Sequence, residues 1–250
     1  MPANYKNKNL KFGLIGKKLG HSYSKIFFED LFKEQNIAAS FDLLEIDDVN
    51  RFEQIKKEGY LGLSVTLPYK ETIIPLLDEL DESARETAAV NCISFKNGKS
   101  IGYNTDTVGF ALSLSKILIN RKELKKALIL GSGGAAKAVA NVLGKLNIEY
   151  KIVSRSPEAG QIGYTALDAK FLKEHKLIIN CSPLGMFPSN RTFPDIPYSA
   201  LDESNILFDL VYNPAETVFM QKGREQGATV CNGLEMLHLQ ALAAWNIWNS

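Results

Sequence analysis

The sequence predicts an α/β protein of two domains, and three observations carry that prediction. Strand-like and helix-like patterns alternate along almost the whole chain. Two βα series are present, each with its own start, and the join between them falls between Thr105 and Lys126. The second series opens on a glycine-rich turn between a strand and a helix, the context of a dinucleotide fingerprint.

Taken in order, Lys11–Ile15 reads as a first strand. Ser24–Gln35 follows as a helix, with Ile26, Phe27, Leu31 and Phe32 at helical spacing and Ser22 or Ser24 as its cap. Phe41–Ile46 is a strand, Val49–Lys57 a helix, and Leu61–Thr66 a strand ended by Pro68. Glu71–Leu77 and Glu82–Ala89 read as short helices. Cys92–Phe95 and Ser100–Tyr103 flank Asn97-Gly98, a type I′ turn signal, and so predict a β-hairpin. Thr107–Leu118 is a helix, and the charged RKELKK stretch after it is expected to be exposed.

The second series begins with the strand Ala127–Leu130, followed by the glycine turn, the helix Ala135–Leu146 and the strand Tyr150–Val153. Leu177–Asn180, Leu207–Val211 and Thr229–Cys231 are further strands. The chain closes on a helix at Leu234–Trp248, which periodicity alone assigns to neither domain.

The 250-residue chain is 45% hydrophobic and 23% charged, enough to bury a core without metal or disulfide staples. Lys plus Arg number 29 against 28 Asp plus Glu, which gives no support to a nucleic-acid partner. No apolar run is long enough for a bilayer span, and the first residues lack the apolar core of a signal peptide. Cys92, Cys181 and Cys231 are odd in number and far apart, so they read as small buried residues and not as a disulfide or zinc framework. His21, His175 and His238 are dispersed, and no metal site is expected. A soluble, cytoplasmic protein is expected.

Gly131, Ser132, Gly133, Gly134 and Ala135 form the turn after the strand Ala127–Leu130. Glycines there let backbone amides approach a pyrophosphate, and the helix N-terminus stabilises the anion. A ligand-free βα turn is the plainer alternative. The next strand ends in Ser154-Arg155-Ser156, with no carboxylate before Glu158. An acid at that strand end would bond a ribose 2′-hydroxyl, whereas Arg155 can pair with a 2′-phosphate, so NADP is predicted over NAD.

In the first half, polar segments sit where strands or hairpin arms end: His21–Ser24, Ser64–Lys70, Ala89–Cys92 and Tyr103–Asp106. Their hydroxyls, amide, ammonium and carboxylate suit a small hydroxylated carboxylate. Singly, each residue has an ordinary alternative: Ser22 or Ser24 and Asp106 as helix caps, Lys70 and Gln240 as solvated helix residues, Asn91 as a hairpin residue, and Tyr212 as a core aromatic.

The segments GLIGKKLGHSYS, LSVTLPYK, AAVNCI, GYNTD, GSGGAAK, VSRS, NCSPLGM, DLVYNP and NGLEMLHLQA occur in an order that resembles the shikimate dehydrogenase family from about Phe12 to Ala241. The resemblance implies a substrate-binding and catalytic domain at 1–105 plus 235–250, to which the last helix returns, and a Rossmann-type NADP-binding domain at 106–234. The site would lie in the cleft between them. It implies an oxidoreductase that reversibly reduces 3-dehydroshikimate to shikimate with NADPH, in chorismate and aromatic amino-acid biosynthesis, as a monomer or homodimer. Ser22 and Ser24 would bond the substrate carboxylate, and Lys70 and Asp106 would flank the reacting oxygen. Asn91, Thr66, Gln240 and Ser64 would bond ring hydroxyls or support groups that do. Tyr212, Val211 and Gly233 would line the nicotinamide side, with Ser182 and Met186 near the cofactor.

Two departures from the family pattern stand out. Ser64 occupies a position where the family usually has Asn, which would lose one substrate hydroxyl contact or leave it bridged by water. VSRS also lacks a second basic residue, so the grip on the 2′-phosphate would rest mainly on Arg155. A quinate/shikimate-type dehydrogenase of broader range and a non-catalytic NADPH-binding regulator are the alternatives. Retention of both Lys70 and Asp106 opposes the second.

Overall fold

In the computed structural model, which describes residues 9–20, 22–119, 121 and 124–250, the chain forms two six-stranded sheets. Contacts divide it into two units, Met1–Gly109 with Leu237–Ser250, and Phe110–Met236.

The first unit contains β1 (Leu10–Gly16), α1 (Tyr23–Glu34), β2 (Ala39–Glu45), α2 (Phe52–Ile55), β3 (Gly62–Val65), α3 (Tyr69–Thr72), β4 (Glu79–Leu80), α4 (Glu82–Thr87), β5 (Cys92–Lys96) and β6 (Lys99–Tyr103). Its sheet runs β2-β1-β3-β5-β6-β4. The β2-β1-β3 portion is parallel, whereas β5 pairs antiparallel with β3 and with β6. Asn97 (φ 52°) and Gly98 (φ 75°) both take positive φ, as a type I′ hairpin turn requires. Phe12, Phe28, Phe32 and Phe41 form one core with Trp245 and Trp248. Phe12 stacks on Trp248 at 5.1 Å, and the Trp248 Nε1–H donates to Ile93 O at 2.9 Å. Such ring pairs add roughly 0.5–1.5 kcal/mol each beyond simple burial.

The second unit contains β7 (Lys126–Leu130), α6 (Gly134–Lys145), β8 (Glu149–Ser154), β9 (Ile162–Gly163), α7 (Ala169–Glu174), β10 (Leu177–Asn180), β11 (Ile206–Asp209), α8 (Val218–Glu225) and β12 (Thr229–Cys231). The unit boundaries fall within α5 (Asp106–Leu118) and α9 (Leu234–Trp248). Every strand pair in the second sheet is parallel, in the order β12-β11-β10-β7-β8-β9. The chain winds outward from β7 in one direction and from β10 in the other, the doubly wound order with its switch point between those two strands. β7, β10 and β11 are buried almost throughout, as strands covered on both faces must be.

Several elements differ from the sequence expectation. Ile26 is 57% exposed, and Phe28 turns into the core in its place. Val49–Lys57 is a 3₁₀ turn followed by the short α2, and Glu71–Leu77 is divided between α3 and a 3₁₀ turn holding Pro75. β4, β9, α7 and α8 were not read from the sequence; the strands β4 and β9, of two residues each, are too short to show a period. β11 ends at Asp209, before Val211. Cys92 is buried, but Cys181 and Cys231 are only partly so. In the RKELKK stretch Leu124 is buried, while Lys122 and Glu123 lie outside the described residues. His21 also lies outside them. No helix among the described residues is long and apolar enough to cross a membrane.

Candidate functional site

In the first unit, polar side chains converge where α3, the segment before β5, the start of α5 and α9 meet. Lys70 follows Tyr69 in α3, and Tyr69 anchors that turn by donating its hydroxyl to Ile46 O at 2.5 Å. Lys70 Nζ donates to Asp106 Oδ2 at 2.5 Å, with the two side chains only 15% and 8% exposed. Lys70 is therefore no solvated helix lysine. Asp106 is the first residue of α5, where the helix dipole favours an anion, and its carboxylate turns to Lys70 and Asn91.

Asn91 is fixed through its backbone on both sides: its N–H donates to Tyr103 O, and its carbonyl accepts from Val65 N–H. Its side chain is 4% exposed and donates to Asp106 Oδ1 at 2.7 Å. Asn91 Oδ1 accepts the Thr105 N–H at 2.7 Å, which fixes which end of the amide faces the carboxylate. Gln240 Oε1 lies 3.4 Å from both Asn91 Nδ2 and Thr105 Oγ1. Lys70, Asn91, Asp106 and Gln240 thus form one hydrogen-bonded cluster. Each oxygen of Asp106 faces one donor, Oδ2 the Lys70 ammonium and Oδ1 the Asn91 amide, and each keeps a further lone pair to accept another bond.

The other first-unit candidates lie on β3, on the turn after it and at the start of α1. Ser64 is buried at the end of β3, opposite Leu14 and Cys92. Thr66 starts the turn into α3, its N–H donating to Ile15 O at 2.9 Å. Ser22 stands at the N-cap position of α1 with no side-chain cap bond, and Ser24 is half-buried in the first turn. Tyr212 follows β11 in the second unit.

In that unit, Gly131 follows β7 with φ +118°, a conformation only glycine takes freely. A Cβ there would also come within 3.2 Å of Cys181 C and Ser182 N. Ser132 and Gly133 are exposed, Gly133 is the N-cap of α6, and Gly134 and Ala135 form the first turn of that helix. Nothing lies within 4 Å of a Cβ built on Gly133. An open, side-chain-free turn at the N-terminus of a twelve-residue helix, beside the switch point of the sheet, fits a pyrophosphate. Ser154 ends β8 and its hydroxyl accepts the Ser156 N–H at 3.2 Å. Arg155, between them, is exposed and makes no ion pair among the described residues.

Sequence reasoning missed a buried network beside these residues. Asn180, Asp209 and Thr217 are fully buried, and Asp209 accepts from Asn180 Nδ2 (2.9 Å), Val211 N (3.0 Å) and Thr217 Oγ1 (2.5 Å). Asn180 Oδ1 accepts from both the backbone N–H and the hydroxyl of Ser182. Met186 is 40% exposed, Val211 is buried, and the Gly233 N–H donates to Val211 O at 3.2 Å. A Cβ on Gly233 would stand 2.1 Å from Leu210 O, so the close approach requires glycine. The available signal was a polar residue ending each buried apolar run, LIIN and ILFD. Thr105 was likewise inside a quoted motif, but nothing in the sequence showed that it orients Asn91.

Fold and site define a two-unit α/β protein with a Rossmann-type nucleotide-binding half and an ammonium–carboxylate cluster in the other half. Residues 14–93 match the family model described as the shikimate dehydrogenase substrate binding domain. The chain is 36% identical to shikimate dehydrogenase (NADP(+)) of Methanococcus maripaludis, over 97% of this chain and 92% of that protein. Among solved structures, shikimate dehydrogenase from Aquifex aeolicus superposes with a TM-score of 0.87 at 32% identity, covering 96% of this chain and 92% of that one. The Thermus thermophilus enzyme in complex with NADP(H) and shikimate gives a TM-score of 0.83 at 26% identity, covering 96% and 93%. The chain belongs to the shikimate dehydrogenase family.

Proposed function

We propose that this protein catalyses the reversible NADPH-dependent reduction of 3-dehydroshikimate to shikimate. The observation that carries the reading is the largely buried Lys70–Asp106 pair, held by Asn91 within the unit that contains the matched substrate-binding segment. Bound NADPH supplies the hydride.

Lys70 stabilises the negative charge that builds on the ketone oxygen during reduction and donates the proton that completes the hydroxyl. Asp106 holds Lys70 in place and accepts a neighbouring substrate hydroxyl. Asn91 and Gln240 orient the ring hydroxyls, assisted by Thr66 and Ser64. Ser22 and Ser24 take the substrate carboxylate; the Ser22 hydroxyl, which caps nothing, is available for that bond. Gly131–Ala135 hold the pyrophosphate, and Arg155 with Ser154 and Ser156 holds the 2′-phosphate. Ser182, Met186, Val211, Tyr212 and Gly233 border the nicotinamide. The reading assigns 1–105 plus 235–250 to substrate and 106–234 to NADP, and places the enzyme in the cytoplasm, where its three free thiols stay reduced.

The test is an absorbance assay of purified protein with shikimate and with quinate, each with NADP and with NAD. Shikimate with NADP is expected to be clearly best. Equal use of quinate would replace the assignment with a broader dehydrogenase, and NADP binding without turnover would replace it with a regulator.

A further inference from the structure

Asp209 is the one fully buried carboxylate among the described residues, and the proposed hydride transfer does not use it. It ends β11, and three donors converge on it. Each donor belongs to a different part of the strand-end surface. Asn180 ends β10 and, through Oδ1, holds Ser182; its Nδ2 also reaches Leu184 O at 3.2 Å. Val211 opens the loop after β11 and accepts from Gly233 N–H. Thr217 closes that loop and caps α8 through Met220 N. One carboxylate therefore ties together the segments that carry Ser182, Val211, Tyr212 and Gly233.

No cation of the described residues pairs with it. The titratable groups facing it are Tyr198, on the segment packed over α8, and Cys231 on β12. Burial pushes both upward, Cys231 to about 12, so both are neutral at physiological pH. Burial likewise pushes Asp209 up to about 6, against the lowering pull of its three donors. An asparagine could make the same number of bonds without burying a charge, so packing alone does not account for an acid here. Perturbed carboxylates of this kind concentrate at functional sites.

We propose that Asp209 is a positioning residue of the dinucleotide site: as an anion it locks the loops after β10 and β11 in their binding shape, and on taking a proton it releases them. The chemistry is that of bonds to an ion, which are shorter and roughly twice as strong as neutral ones. Protonation weakens the Asn180 and Val211 bonds and forces the Thr217 hydroxyl to accept where it had donated. This inference rests on NADP binding in the second unit, as proposed above.

The experiment is calorimetric titration of NADP+ into wild type and Asp209→Asn, the uncharged mimic, at about pH 5 and about pH 8. The 2′-phosphate of the ligand itself titrates near pH 6, so the readout is the ratio of the two dissociation constants, in which that contribution cancels. The ratio is expected to be about 1 at the acid end and about 10 at the alkaline end, the factor for a one-unit pKa change on binding. A ratio that does not change with pH, whether one or a constant loss, overturns the proposal and leaves NADP binding intact. Wild type that binds no NADP+ at either pH overturns the parent reading and this inference with it. Should Asp209→Asn fail to fold, Thr217→Val removes the Oδ2 donor and should move the wild-type pH midpoint upward, with Thr217→Ser restoring it. An unmoved midpoint in Thr217→Val overturns the proposal equally.

Discussion

The two units build their sites by different means. In the first, side chains hold side chains: Lys70 on Asp106, Asp106 on Asn91, Asn91 on Thr105 and Gln240. In the second, the working surface is mostly backbone, a glycine turn at Gly131–Gly134 and loops pinned to a buried acid. The contrast follows from the tasks. Charge that appears only during a reaction needs preset ionic groups, whereas a permanent pyrophosphate is met by amides at a helix N-terminus. Single-atom changes should therefore act on turnover in the first unit and on cofactor affinity or stability in the second.

The sharpest test of that division is Lys70→Ala. Turnover at saturating substrate should fall about 10³-fold, with NADP affinity unchanged when measured by calorimetry. Near-normal turnover would remove Lys70 from the chemistry. Next in size is the pH dependence of stability set by Asp209. Its folded pKa is raised from 3.8 to about 6, so the folded chain holds that proton more tightly than the unfolded one. Stability is thus lost as pH rises from about 4 to about 6, by at most about 3 kcal/mol relative to Asp209→Asn. Urea midpoints of the two proteins across that range would show the loss, and parallel curves would contradict it.

Arg155→Ala should weaken NADPH binding about 10- to 100-fold and leave NADH binding unchanged, the scale of one or two charge-assisted bonds. An equal loss for both cofactors would mean that Arg155 does not read the 2′-phosphate. The smallest effect belongs to Thr105→Val. Asn91 keeps the Thr105 N–H but loses the hydroxyl, so turnover should drop by a factor of about 2 to 10 and recover in Thr105→Ser. Failure of serine to restore it would assign Thr105 to packing.

Residues whose character depends on their neighbours in sequence were readable in advance. Asn97-Gly98 adopts the positive φ pair its turn type needs, and GSGGAA sits between β7 and α6 as a strand–turn–helix. The two-residue strands were invisible because no period develops over so few positions: β4 is specified by pairing with β6, and β9 by pairing with β8. Ile26 and Phe28 both suit a helix, and only the position of α1 against Phe12, Phe41 and Trp248 decides that the ring turns inward.

The sequence by itself determined the alternation of strands and helices, the glycine turn, the absence of an acid beside Arg155, and the supply of Lys70, Asp106, Asn91 and Gln240. Those properties are local, or are carried by residue type. Tertiary structure alone decided that Asn91 presents its amide and not its carbonyl to Asp106, that both carboxylate oxygens of Asp106 face donors, and that Asp209 is buried among Asn180, Val211 and Thr217. Each depends on which groups lie within hydrogen-bond reach across 14 to 36 positions of chain in the first unit and up to 29 in the second. Burial and partner geometry, which fix the orientation of an amide and the charge state of an acid, exist only once those distant segments have been brought together.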